Sequence, residues 1–165
     1  MVERLRSKKV GPGWRGPNGA CVRYQNALDV SAPAAGVTVV SAAPGKVVCE
    51  MKVEEQHTNK MGTLHGGMTA TLVDVISSLA LLCTERGTGG VSVDMNITYI
   101  SPAKMGEDIL ITAHVLKEGR SLSFASVDLT NKATGKLIAQ GRHTKHMGNT
   151  PSEGNSKKSN NECPE

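Results

Sequence analysis

Aromatic side chains are nearly missing from this 165-residue sequence: one Trp, two Tyr and one Phe make up 2% of it. A core cannot then be assembled around rings, and Val, Ile, Leu, Ala and Met must fill it, which gives an aliphatic interior compatible with a lipid ligand. With so little to stack on bases and a formal net charge of only +4, nucleic acid is not expected as a partner. The same small positive excess suits a phosphate-bearing small molecule or a merely soluble surface. Long apolar runs are lacking too. The longest, Leu79 to Cys83, falls far short of the roughly 20 residues that cross a bilayer, so no membrane span is expected. Met1 to Trp14 is basic, without the apolar stretch of a secretory signal, which leaves an oxidising destination unsupported. The four cysteines, Cys21, Cys49, Cys83 and Cys163, have no CxxC spacing and are expected as reduced thiols in a cytosol-like compartment. There is no P-loop, GxSxG or HExxH motif and no clustered set of metal ligands. His143 and His146, with Lys145 between them, are too isolated to make a metal site.

What is present fits one domain. Residues 1–36 mix basic side chains with Gly11, Pro12, Gly13, Gly16, Pro17, Gly19 and Pro33, punctuation that builds neither long helices nor strands, and a loosely ordered segment is expected there. Residues 149–165 hold no apolar side chain except Cys163, too little to offset ordering entropy, which predicts a disordered polar tail. The folded domain is expected over 37–148. Its Lys46 to Glu54 segment alternates Val47, Cys49, Met51 and Val53 with Val48, Glu50, Lys52 and Glu54, the period of a half-buried strand. Ala43-Pro44-Gly45 reads as the turn joining it to a first strand near Val37 to Ala42.

From Gly66 to Arg86 the period changes: Met68, Leu72, Val75, Ile76, Leu79 and Leu82 recur three and four apart, which predicts one long helix. Gly87 would stop it, and Arg86 would complement the dipole of its last turn. Four strand-like segments follow, Val91 to Ile100, Asp108 to Leu116, Ser121 to Asn131 and Lys136 to His146. Their turns are short enough for antiparallel neighbours. Two strands, a helix and four strands amount to an α+β domain, with one long helix packed on a curved antiparallel sheet.

Two features could carry chemistry. His57 through Gly67 brings polar side chains and the pair Gly66-Gly67 to the start of the helix, where backbone N–H groups are unpaired and the dipole favours negative charge. A developing oxyanion could sit there, with the Asn59 amide as a second donor; such a segment can also be an ordinary glycine-rich turn. The other is Asp74, mid-helix, whose own face carries Ala70, Thr71, Ser77 and Ser78. A carboxylate among small side chains can be approached closely and act as a general base, though solvent-facing helical aspartates are common. Ser92, a polar position in the third strand, could orient a water for it. Gly66 and Asp74 are eight residues apart, roughly 12 Å along a helix axis, so they cannot meet one carbonyl within one chain. If both act on one substrate, a second subunit must supply one of them. Lys104, Lys117, Arg120 and His146 lie in or near turns, where they could meet phosphates or simply be solvated.

These residues are familiar. The stretch from about Val37 to Asn149, with His57-Thr58-Asn59, Gly62-Thr63-Leu64-His65-Gly66-Gly67, Ala70-Thr71-Leu72-Val73-Asp74, Val91-Ser92-Val93-Asp94-Met95-Asn96 and Gly141-Arg142-His143-Thr144-Lys145-His146, resembles the hotdog-fold acyl-CoA thioesterases. The resemblance implies a hotdog fold, in which a six-stranded antiparallel sheet wraps a central helix. It implies a tetramer built as a dimer of dimers, and hydrolysis of medium- to long-chain fatty acyl-CoA with no metal, cofactor or prosthetic group. Asp74 is then the group that activates water, or attacks as nucleophile, and Ser92 orients the water. Asn59 and the Gly66 N–H polarise the thioester carbonyl from the other subunit, and His65 helps to position substrate. Coenzyme A contacts are implied at Tyr99, Ile100, Ser101, Pro102, Ala103 and Lys104, at Lys117, Glu118, Gly119, Arg120, Ser121 and Leu122, and at His146. A cytosolic and mitochondrion-associated location and a phosphatidylcholine transfer protein partner are implied as well. Where the family opens with an amphipathic helix, this sequence has its Gly/Pro-rich segment, which puts subunit packing in question. Two readings compete: a non-catalytic acyl-CoA-binding module, and a hotdog hydratase or dehydratase, for which no second acid/base pair is visible.

Overall fold

A computed structural model describes residues 36–148. The expectations for residues 1–35 and for the tail 149–165, and with them Cys21 and Cys163, lie outside that range. Eight elements follow in order: β1 (Val37–Ala43), β2 (Lys46–Lys52), a 3-10 turn (Glu55–His57), α1 (Gly66–Leu82), β3 (Val91–Tyr99), β4 (Asp108–Glu118), β5 (Leu122–Asn131) and β6 (Leu137–His146). The strands form one antiparallel sheet in the order β1-β2-β4-β5-β6-β3, wrapped around α1. This is the hotdog arrangement.

The alternating strands explain the layering. Val47, Cys49 and Met51 of β2, Ile109, Ile111 and Ala113 of β4, and Ala125, Val127 and Leu129 of β5 turn inward and are buried, as the period of two demands. Against them α1 lays Leu72, Val73, Ile76, Leu79 and Ala80, also buried. Cys49 and Cys83 lie in this core. Pro44-Gly45 closes the first hairpin, with Gly45 at φ +68°, a conformation glycine takes without strain.

The inward row of β6 departs from this pattern. It runs Ala139, Gly141, His143, Lys145, so two basic side chains are buried at the end of an otherwise apolar or small row. Gly141 permits it: a Cβ there would lie 2.6 Å from Val73 Cγ1, so α1 comes closer to β6 than any other residue would allow. That contact holds the middle of the helix over His143 and Lys145.

Three expectations need correction. The helix ends at Leu82 and not at Arg86. Thr84 N–H bonds to Leu81 O, tightening the turn, and Thr84 Oγ1 donates to the same carbonyl. Arg86 therefore does not serve the helix dipole; its guanidinium donates to Gly119 O, Arg120 O and Gly148 O. The third strand does not pair with the fourth. β3 pairs with β6, because the link after Tyr99 is fastened to the start of the helix by Leu64 N–H to Ala103 O (2.8 Å) and Met105 N–H to Gly62 O (3.0 Å). It thereby carries the chain across to the strand beside β2. Strand ends also shift by one or two residues: β4 runs on to Glu118, placing Lys117 and Glu118 in a strand, and Val53 leaves β2 to bond Glu107 O.

Candidate active site

Each half of the site is built by local chemistry. At the start of α1, Asn59 organises a tight loop: its Oδ1 accepts from Met61 N–H (2.9 Å) and Thr63 N–H (3.3 Å), while its Nδ2 donates to Thr63 Oγ1 (3.0 Å). The amide carries two hydrogens, and this last bond uses one. His65 is the N-cap of the helix, its Nδ1 accepting from Gly67 N–H at 2.9 Å. That bond leaves only Nε2 of His65 to meet a substrate. It also satisfies the Gly67 donor, and among the described residues the Gly66 N–H has no acceptor.

Gly66 packs under Tyr99, whose hydroxyl donates to Gly66 O at 3.2 Å. A cleft of about 360 Å³ opens here, lined by Asn59, Leu64, Gly66, Thr69, Tyr99, Ile100, Ser101, Pro102, Ala103, Ile138 and Ala139. The structure thus brings Asn59 and Gly66 together with the segment Tyr99 to Ala103. Ala103 is itself buried, and its carbonyl is occupied by Leu64 N–H. Lys104 lies outside the cleft lining, its N–H bonded to Glu107 Oε2.

Asp74 sits midway along α1 with its side chain 48% exposed. Ser77 and Ser78, the small residues of its own face, donate their hydroxyls to its main-chain carbonyl. Ser92 Oγ of β3 donates to Asp74 Oδ1 at 3.2 Å, so Ser92 bonds the carboxylate itself and has only its lone pairs to offer a water. Lys145 Nζ lies 3.6 Å from the same Oδ1 and His143 Nε2 3.7 Å from it. Burial, and then the neighbouring Lys145, pull the His143 pKa below its ordinary value, against the opposing pull of Asp74 and Asp94. His143 Nδ1 meets Ser77 Oγ at 2.7 Å, and its buried Nε2 has no hydrogen-bond partner among the described residues.

His143 and Lys145 were not singled out from the sequence as neighbours of Asp74. The signal was there in the β6 alternation: the phase set by Ala139 against exposed Gln140 and Arg142 turns 141, 143 and 145 toward the helix.

A third group gathers at the far end of the helix. Lys117, Arg120, Ser121, Leu122 and His146 are exposed around the β4–β5 turn. Glu118 Oε1 lies 2.9 Å from Thr84 Oγ1, and a Cβ on Gly119 would fall 2.5 Å from Leu122 O, so that turn requires glycine. Ser121 O accepts from Met147 N–H, and Leu122 pairs with His146 across the ladder. Arg86 clamps this turn to the end of β6 by its three carbonyl bonds. These residues and the cleft at Gly66 stand at opposite ends of a 17-residue helix, on the order of 25 Å long.

Comparison with known proteins identifies the family. The thioesterase superfamily profile matches residues 61–138. Acyl-coenzyme A thioesterase 13 of Homo sapiens is 81% identical over 113 residues, covering 68% of this chain and 81% of that protein. The crystal structure of zebrafish thioesterase superfamily member 2 superposes with a TM-score of 0.74 at 69% identity, over 76% of this chain and 94% of that one. A Streptococcus pneumoniae thioesterase crystallised with coenzyme A is similar at 28% identity and a TM-score of 0.65, over 70% of this chain and 88% of its own. At 81% identity to a relative of which it covers 81%, and with the family profile matching residues 61–138, this chain belongs to the thioesterase superfamily.

Proposed function

We propose that the chain hydrolyses medium- to long-chain fatty acyl-CoA to free fatty acid and coenzyme A at a site shared by two subunits, Asp74 coming from one and Asn59 with the Gly66 N–H from the other. Acyl-CoA thioester hydrolysis is the activity carried by its 81% identical relative. The observation that carries the shared site is the separation along α1: Gly66 and Asp74 are roughly 12 Å apart on one helix axis, too far to act on one carbonyl. Each half is nonetheless finished in itself, the cleft by Asn59 and Tyr99, the carboxylate by Ser92.

β3 offers the means of joining the halves. Among the described residues it pairs only with β6, which leaves its outer edge unpaired there, and Val91, Val93, Met95 and Tyr99 are exposed along it. An unpaired strand edge with apolar side chains is a template for a second copy. A two-fold contact there, repeated as a dimer of dimers, sets the cleft and Tyr99 to Lys104 of one subunit against Asp74, Ser92 and the Lys117 to Leu122 turn of the next. The two groups of coenzyme A contacts, far apart in one chain, then fall around one ligand.

In this arrangement Asp74 takes a proton from water as the oxygen adds to the thioester carbon. Negative charge grows on the carbonyl oxygen between the Gly66 N–H and the Asn59 amide. Collapse breaks the carbon–sulfur bond, and the coenzyme A thiolate leaves with the proton that Asp74 held. The reading assigns the enzyme to fatty acid metabolism, in the cytosol and at mitochondria.

Thiol release from acyl-CoA of increasing chain length tests the activity. Turnover that rises from short to medium and long chains is expected. Tight binding of every chain length without thiol release would instead establish a non-catalytic binding module.

A further inference from the structure

Three side chains converge on one oxygen of the Asp74 carboxylate. Ser92 Oγ, Lys145 Nζ and His143 Nε2 all approach Oδ1, at 3.2, 3.6 and 3.7 Å. Oδ2 is left as the oxygen able to take a proton. Of the three, Lys145 is the unusual one, since its side chain is 5% exposed and lysines are almost never buried without a purpose or a partner. Its ammonium is anchored by donation to Ser78 Oγ, one turn along the same helix from Asp74.

We propose that Lys145 is a positioning residue for hydrolysis: fixed by Ser78, its ammonium holds the Asp74 carboxylate turned with Oδ1 inward, so that Oδ2 faces the attacking water. This rests on the reading of Asp74 as the group that activates water. The groups around Lys145 are few. Asp74 and Ser78 face it from α1 and His143 from its own strand, Ser92 and Ser123 are its ladder partners on β3 and β5, and Asp94 of β3 pairs with the neighbouring Thr144. With the His143 pKa pulled down by burial, Lys145 is the cation at this point. Burial also lowers the Lys145 pKa, against the pull of Asp74. Its charge is therefore lost at a lower pH than that of an ordinary lysine.

The test is the pH profile of kcat and KM for one acyl-CoA, with thermal melting as a folding control, on the full chain and three variants. Lys145→Met is expected to lose about tenfold in kcat with KM nearly unchanged, because the charge 3.6 Å from Oδ1 is gone, and to lose the alkaline fall that deprotonation of Lys145 gives the wild type. Lys145→Arg is expected to restore most of kcat and likewise to lose the alkaline fall, because arginine does not titrate in that range. Ser78→Ala, which leaves the charge but frees the ammonium, is expected to lose about threefold in kcat at an unchanged melting temperature. It decides the matter should Lys145→Met fail to fold. Wild-type kcat and profile in Lys145→Met or Ser78→Ala, or equal losses in the Met and Arg variants with the profile unmoved, would overturn the proposal. Failure of the underlying reading looks different, because Asp74→Asn would then itself remain active.

Discussion

Asp74→Asn is expected to lower kcat by about 10²- to 10⁴-fold, the range that a positioned general base contributes. The substitution keeps the shape of the side chain but removes the negative charge beside the buried Lys145 ammonium. Asparagine has the same shape, its Oδ1 can still accept from Ser92 Oγ, and the Ser77 and Ser78 hydroxyls bond the main-chain carbonyl of residue 74 and not its side chain. Melting temperature is expected to fall, because the buried Lys145 ammonium loses its charged partner, whereas KM should change little, because the cleft at Gly66 is untouched. An amide cannot take the proton from water, and a loss confined to kcat is the signature of an interaction made only in the transition state. Steady-state thiol release with medium-chain acyl-CoA makes the check. A variant within a few-fold of wild type would remove Asp74 from the chemistry.

Asn59→Ala is expected to cost about a hundred- to a thousandfold in kcat, as loss of an oxyanion donor does elsewhere. Alanine also removes the Oδ1 that accepts from Met61 N–H and Thr63 N–H, so the loop ahead of Gly66 loosens and part of the loss could be structural. Asn59→Asp separates the two effects. Its carboxylate oxygen can replace Oδ1 in both bonds, yet it has no N–H to offer a growing negative charge and brings a like charge toward it. Both variants should be slow, with Asn59→Asp the better folded of the two. If Asn59→Asp turned over like wild type, the amide would have no part in polarising the carbonyl.

The periodicity of the chain made the elements legible because burial dictates it. The period of two in Lys46 to Glu54 and the three-and-four spacing of Leu72, Ile76 and Leu79 each follow from one face meeting a core. The Gly66–Asp74 separation was equally legible, since helical rise is fixed. Contacts that depend on chain crossings were not. Ser92 reaches Asp74 only because β3 leaves its sequence neighbour β4 and lies against β6, and nothing local in Ser101 to Gly106 announces that. The helix terminus was misread for a similar reason: Arg86 suited the end of a helix, but its carbonyl partners at 119, 120 and 148 are distant in sequence. His143 and Lys145 read as isolated bases until the Gly141 contact brought α1 down onto them.

The two slow variants together test the shared site. Asp74→Asn and Asn59→Ala subunits, co-expressed or unfolded and refolded in equal amounts, form mixed pairs in which one site inherits both defects and the other inherits neither. Random pairing then predicts recovery to about a quarter of wild-type specific activity, since half the pairs are mixed and each has one intact site of two. A mixture no more active than its two components, in oligomers shown to contain both subunits, would contradict the account.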